Sequence, residues 1–82
     1  MTLDAEIRMP KASESMEVGK IVQWLKESGA AVRRGEPIAE IETEKTVVVL
    51  EARASGTLRI SAGAGVELPV ATTIGTIETA EA

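Results

Sequence analysis

The sequence predicts an all-β fold, a sandwich of short strands arranged with internal pseudo-symmetry, and three observations lead there. Turn-forming residues recur at short intervals: Gly19, Gly29, Gly35, Pro37, Gly56, Gly63, Gly65, Pro69 and Gly75. The pieces between them are mostly shorter than a typical helix of about 11–12 residues. They hold β-branched runs such as Thr46-Val47-Val48-Val49 and Ile74-Gly75-Thr76-Ile77. The third observation is a repeat: Gly29, Val32, Ile38, Ile41 and Glu42 recur 36 residues later as Gly65, Leu68, Ile74, Ile77 and Glu78. Short strands with regular turn signals form sandwiches or barrels.

One segment resists the strand reading. Val18, Ile21, Val22 and Leu25 follow the i, i+3, i+4, i+7 spacing of an amphipathic helix, which places a helix over residues 17–27. The repeat overrides that periodicity. Gly35 and Pro37 correspond to Ala71 and Thr73 in the same register, and earlier in the chain the offset becomes 37, matching Gly19 to Gly56 and Ile21 to Leu58. The second copy, Gly56-Thr57-Leu58-Arg59-Ile60, alternates with the period of a strand. Residues 20–26 are therefore predicted as a strand, bulged near Trp24-Leu25. Two halves of about 36 residues follow, each with three or four strands. Ile21, Val32, Ile41, Val48, Leu58, Leu68 and Ile77 are expected in one core, and Trp24 as a core or edge packing residue.

Composition narrows the function. The 82 residues contain no Cys, His or Tyr and a single Asp, Asp4, so the common nucleophile–base pairs cannot be assembled. Glu is plentiful, but paired carboxylates need a desolvating cleft for acid–base work, and a chain this small leaves little room for one. Scattered Glu oxygens are poor material for a metal site. A net charge of −4 with dispersed basic residues argues against nucleic acid. Gly63-Ala64-Gly65 lacks the Lys-Ser or Lys-Thr of a phosphate loop and is read as a turn. No apolar stretch of membrane-spanning length is present, and the first residues lack the basic and apolar regions of a secretory signal. The expectation is a cytoplasmic protein, monomeric in isolation, rather than an enzyme.

Between the halves lies Glu42-Thr43-Glu44-Lys45-Thr46, flanked by the apolar segments 38–41 and 47–50. A polar interruption between two apolar strands is a hairpin turn, which puts Lys45 at an exposed tip on a rigid support.

These residues carry a resemblance. The positions Met9-Pro10-Lys11, Met16, Gly19, Ile21, Trp24-Leu25, Gly29, Val32, Gly35-Glu36-Pro37, Glu40 to Lys45 and Ala54-Ser55-Gly56 resemble the lipoyl domains of 2-oxo acid and acetoin dehydrogenase acyltransferases. The resemblance implies a flattened barrel of two four-stranded antiparallel sheets with a quasi-two-fold axis. It sets the domain at residues 5–78, with 1–4 and 79–82 as flexible tails. It implies lipoic acid in amide linkage to Lys45, with Glu42, Glu44 and Thr46 as flanking recognition residues. The implied partners are a thiamine-diphosphate decarboxylase component, an acyltransferase core, dihydrolipoamide dehydrogenase, and a lipoate ligase or octanoyl transferase. In that family an Asp usually precedes the lysine and an Ala often follows it; here Glu44 and Thr46 stand there. Ala30 replaces a common acidic residue. Ala12-Ser13 replace a frequent Leu-Gly in a loop that the resemblance places beside Lys45, with consequences for which dehydrogenase is served.

Two alternatives stand beside this reading. A biotin carrier domain shares the implied fold, but its lysine lies between two methionines. An unmodified binding module of the same fold would usually lose the tip lysine or its acidic flanks. Lys45 could also be an ordinary solvated turn lysine, and Glu42 and Glu44 could serve only to keep the tip soluble.

Overall fold

The computed structural model describes residues 2–80. It contains eight strands: β1 (Thr2–Arg8), β2 (Val18–Trp24), β3 (Ala31–Val32), β4 (Pro37–Glu42), β5 (Val47–Glu51), β6 (Gly56–Ile60), β7 (Glu67–Pro69) and β8 (Thr73–Ala80). There is no helix among the described residues. The strands form two antiparallel four-stranded sheets, ordered β1-β8-β6-β3 and β5-β4-β2-β7.

Each sheet is a copy of the other. Exchanging β1 with β5, β8 with β4, β6 with β2 and β3 with β7 converts one order into the other. The register agrees: Glu42↔Val47, Ile41↔Val48 and Glu40↔Val49 in β4–β5 match Glu78↔Asp4, Ile77↔Ala5 and Thr76↔Glu6 in β8–β1. Both ladders are irregular at the same place, opposite Ile38 in one and Ile74 in the other. Backbone bonds outside the ladders also come in pairs. Gly29 N donates to Leu58 O at 2.7 Å, and Gly65 N to Ile21 O at 2.6 Å. The positive φ angles fall at Gly29 and Gly65, and at Gly35 and Ala71, which are two repeat pairs. Each sheet takes two strands from each half of the chain: β1 and β3 with β6 and β8 in one, β2 and β4 with β5 and β7 in the other.

Residues 17–27 form no helix. Burial in β2 alternates, with Gly19 and Ile21 inward and Val18, Lys20 and Val22 outward. The bulge lies at Val22 rather than near Trp24-Leu25: Ile21 pairs with Ile41 and Gln23 with Glu40, leaving Val22 unmatched. The corresponding β6–β8 ladder runs without interruption. This one extra residue is the change of repeat offset from 37 to 36, because an insertion in one copy is absorbed as a bulge.

The core contains the predicted Ile21, Val32, Ile41, Leu58 and Ile77, with Val48 and Leu68 partly buried against it. Ile7, Met9, Met16, Ile38, Ala39, Ala52 and Ile74 complete it. Met9 and Ala52 are symmetry mates, since Met9 N bonds Thr72 O as Ala52 N bonds Glu36 O. The larger side chain is accommodated at Gly19, where a Cβ would lie 2.6 Å from Met9 Sδ. Trp24 is half-buried against the core and its indole N–H donates to Ala62 O at 2.8 Å.

Residues 2–4 and 79–80, expected as tails, take part in strand pairing. Thr2↔Ala80, Leu3↔Thr79 and Asp4↔Glu78 extend the β1–β8 ladder, because their backbone groups find partners in each other. Residue 1 and residues 81–82, also assigned to tails, lie outside the described residues.

Candidate functional site

The β4–β5 hairpin ends in the tight turn predicted between the halves. Thr43 N donates to Thr46 O at 2.7 Å, leaving Glu44 and Lys45 as the two tip residues. Ala71 is the only non-glycine residue described with positive φ, so this turn is neither of the glycine-favouring types common in two-residue hairpins. The Thr43 side chain adds to the backbone bond that closes it. Thr43 Oγ1 accepts hydrogen bonds from Thr46 N at 3.1 Å and Lys45 N at 3.3 Å, and donates to Thr46 O at 2.8 Å. Short hydroxyl side chains close turns by imitating a backbone carbonyl in this way.

The root of Lys45 is thus pinned through its own backbone N–H while its side chain is exposed. Among the described residues its ammonium has no hydrogen bond or ion pair. Lys20 and Lys26 are placed differently. Lys20 lies mid-sheet between Glu42 and Glu67 in the cross-strand register, and Lys26 pairs with Glu36 at 3.1 Å. Lys11 is exposed in the β1–β2 connection.

The flanking residues have separate tasks. Thr46 supplies the carbonyl that closes the turn. Glu44 accepts a hydrogen bond from Ser15 Oγ at 3.1 Å, so the β1–β2 loop lies against the turn. Met16 is buried under that loop, and its sulfur is 3.1 Å from Ala12 N, which donates to it. Glu42 is exposed on the outer sheet face, opposite Val47 on one side and Lys20 on the other. Residues 15–20, Glu42 to Glu44 and Glu67 enclose a groove of about 290 Å³ in which Glu17, Glu42, Glu44 and Glu67 outnumber Lys20. Nothing in that groove forms a nucleophile–base pair, and no group of His, Cys, Asp or Glu able to hold a metal occurs among the described residues.

Thr43 is the site residue that the sequence reading passed over. Its signal was local: a Thr two and three residues before the N–H groups that need an acceptor.

Comparison with known proteins agrees with this geometry. A family model described as "Biotin-requiring enzyme" matches residues 5–77. The chain is 43% identical over 74 residues to the succinyltransferase component of the Bacillus subtilis 2-oxoglutarate dehydrogenase complex, covering 89% of this chain and 18% of that protein. It is 41% identical over 76 residues to the acetyltransferase component of the acetoin cleaving system of Cupriavidus necator, covering 92% and 20%. A third relative is the acetyltransferase component of the Rhizobium meliloti pyruvate dehydrogenase complex, at 44% over 62 residues, covering 74% and 14%. The chain therefore spans a fifth or less of the length of these relatives. All three are named as dihydrolipoyllysine-residue acyltransferases. The family-model match over nearly the whole chain, on a fold of two matched four-stranded sheets, establishes that the chain belongs to the biotinyl/lipoyl attachment family and is homologous to part of the dihydrolipoyllysine-residue acyltransferases of 2-oxo acid and acetoin dehydrogenase systems.

Proposed function

We propose that Lys45 is the site of lipoate attachment and that the domain carries an acyl group and reducing equivalents between the active sites of a 2-oxo acid or acetoin dehydrogenase complex. The observation that carries this reading is the position of Lys45 alone: a free ammonium at a two-residue tip, with its backbone held by Thr43. An amide to the amine leaves the turn undisturbed, since no interaction of the ammonium has to be broken. Bound lipoate supplies a dithiolane that accepts and releases acyl groups and electrons, so the chain needs no cysteine of its own. What the chain provides is a rigid root, a solvent-facing tip and a tether, and tethering raises the local concentration of the carried group at each successive site.

The partners in this reading are the thiamine-diphosphate decarboxylase component, the acyltransferase core, dihydrolipoamide dehydrogenase, and the lipoate ligase or octanoyl transferase that loads Lys45. Glu42, Glu44 and Thr46 are recognition residues for loading. The loop bearing Ser13, Glu14 and Ser15 is the element that selects the decarboxylase, supported by the Ser15–Glu44 bond beside the tip. Its replacement is expected to slow reductive acylation and leave lipoylation intact. Equal acylation of the wild type and the loop variant would remove the loop from that role.

Biotin is the second reading, because the matching family is described by biotin. Glu44 and Thr46 weigh against it, since they stand where biotin carriers have methionines. Intact-mass measurement after incubation with lipoate ligase is expected to find one lipoyl group, lost in Lys45→Ala and retained when Lys11, Lys20 or Lys26 is replaced. Biotin ligase is expected to leave the chain unmodified. A lipoyl group mapped to another lysine, or biotin on the wild type, would overturn the assignment.

A further inference from the structure

The pseudo-symmetry supplies an internal control for exposed positions that have a mate in the other half, and beside Lys45 one surface departs from its mate. On the outer face of the sheet β5-β4-β2-β7, the row nearest the tip runs Val47, Glu42, Lys20, Glu67. The equivalent row on the other sheet runs Asp4, Glu78, Thr57, Ala31. In the next row Val49, Glu40 and Gln23 stand where the other sheet has Glu6, Thr76 and Arg59. Val47 is 48% exposed and Val49 52% exposed, yet their mates Asp4 and Glu6 are acidic on the same backbone. The fold therefore does not require apolar residues there. Exposed valines at both edge positions beside Lys45 leave apolar surface in water at a cost that burial against a partner would remove.

We infer that Val47 and Val49, with Glu40, Glu42 and Glu51 around them, form the surface that holds the lipoate-attaching enzyme against this domain. The inference rests on Lys45 being the attachment site. Reach identifies the occupant. The amine of Lys45 stands only one lysine side chain from the hairpin backbone, so an enzyme that forms the amide must bring its active-site walls down onto the adjoining strands. Of the enzymes that act at the far end of the completed arm, the decarboxylase is assigned above to the loop bearing Ser13, Glu14 and Ser15. Val47 is two residues from Lys45, and Val49 lies about 7 Å further along β5, within the footprint of any enzyme closing on the tip. The acidic rim sets the partner's chemistry: an apolar patch bordered by Lys or Arg side chains. Such a rim speeds encounter and makes it sensitive to salt.

The test is lipoylation of the full chain by a bacterial lipoate–protein ligase supplied with lipoate and MgATP. Val47→Thr with Val49→Thr keeps the β-branched shape and removes the apolar contact. It is expected to raise KM for the domain about tenfold, in line with two valines losing their burial, with kcat unchanged. The mate-face variant, Asp4→Thr with Glu6→Thr, is expected to leave KM unchanged. In the wild type, titration with the ligase is expected to perturb the amide resonances of Val47, Val49, Glu40 and Glu42 and to spare those of Asp4, Glu6 and Arg59. That measurement needs no variant to fold. Normal attachment with the same KM in the valine variant, an equal rise in the mate-face variant, or perturbation of both faces would overturn the surface assignment alone. Failure of the wild type to accept lipoate would overturn the reading of Lys45 itself.

Discussion

Gly35 and Ala71 close equivalent turns in the two halves, 36 residues apart, with φ angles of 87° and 74°. Gly35 N donates to Ala52 O, and Ala71 N donates to Met9 O. The backbone path is the same, but one half meets its requirement with glycine and the other tolerates a Cβ in the left-handed region. The outer faces differ in the same manner: hydrogen bonds Arg59–Glu78 and Glu6–Thr73 lace the β1-β8-β6-β3 sheet, while on its counterpart Gln23 donates to Glu40 and valines stand at the edge positions. The backbone path is equivalent where its bonds are fixed, buried positions are apolar in both halves even where size differs, as at Met9 and Ala52, and side-chain character diverges on the exposed faces. Divergence between the halves therefore marks positions that the fold leaves free.

The largest effect that tests this concerns the buried mates Ile41 and Ile77, both fully buried at the centres of their sheets. Truncation of either to Ala is expected to cost about 2–5 kcal/mol, and the two costs should agree to within about 1 kcal/mol. Equilibrium denaturation checks both. A loss several times larger in one half would show that the core is shared unequally despite the matched register.

The turn mates are expected to respond with opposite signs. Gly35→Ala introduces a Cβ that meets no atom within 4 Å, so its cost is backbone strain alone, about 1–2 kcal/mol. Ala71→Gly relieves that strain and adds freedom to the unfolded chain, leaving a net gain below about 1 kcal/mol. Destabilisation by both substitutions would mean that Ala71 has a packing role that its mate lacks.

At the tip the repeat pairs two threonines, Thr43 and Thr79, with different work to do. Thr79 continues a ladder opposite Leu3, whereas Thr43 turns the chain. Thr43→Val keeps the shape and removes Oγ1, which serves Lys45 N and Thr46 N together. A stability loss of about 0.5–1.5 kcal/mol is expected, with slower lipoylation as the root of Lys45 loosens. Unchanged lipoylation would show that the strand pair alone positions the lysine.

Much of this was legible in the sequence, because glycine spacing and buried aliphatics report on the constraints the two halves share. The offset change from 37 to 36 held the bulge, although its place at Val22 emerged only from the ladder register. The hairpin and Lys45 were visible as a polar break between apolar runs. The strand role of residues 2–4 was not. Their mate β5 reads Val47-Val48-Val49-Leu50, whereas β1 reads Asp4-Ala5-Glu6-Ile7, and the two agree only at the inward positions. Met9 was hidden for a related reason, since its mate is the much smaller Ala52. The Ser15–Glu44 contact joins residues 29 apart and has no counterpart in local pattern.

The smallest expected effect is electrostatic and confined to one half. Glu36 follows Gly35 in its turn; its carboxylate accepts a bond from Arg33 N at 3.0 Å and pairs with Lys26 at 3.1 Å. Its mate is the uncharged Thr72, and Arg33 corresponds to Pro69, which has no N–H to give. The bond from the Arg33 backbone, then the bond from Lys26, hold the Glu36 carboxyl below the usual carboxylate value of 4.5. A carboxylate with a lowered folded-state pKa stabilises the fold fully above its unfolded value and loses that contribution as pH falls through the folded value. The gap in melting temperature between wild type and Glu36→Gln is therefore expected to be greatest above the usual carboxylate value and to close as pH falls through the lowered one. The gap is small because both partners are about a third exposed and solvent screens the pair. Added salt should shrink the Lys26 share and spare the Arg33 bond. Glu6 titrates in the same direction, held low chiefly by its bond from Arg8, so the comparison is made against Glu6→Gln as background. A gap that stays constant from neutral pH to acid would show that Glu36 acts in its turn as a hydrogen-bond acceptor without its charge, and the two turns would then differ in that bond and in backbone strain but not in electrostatics.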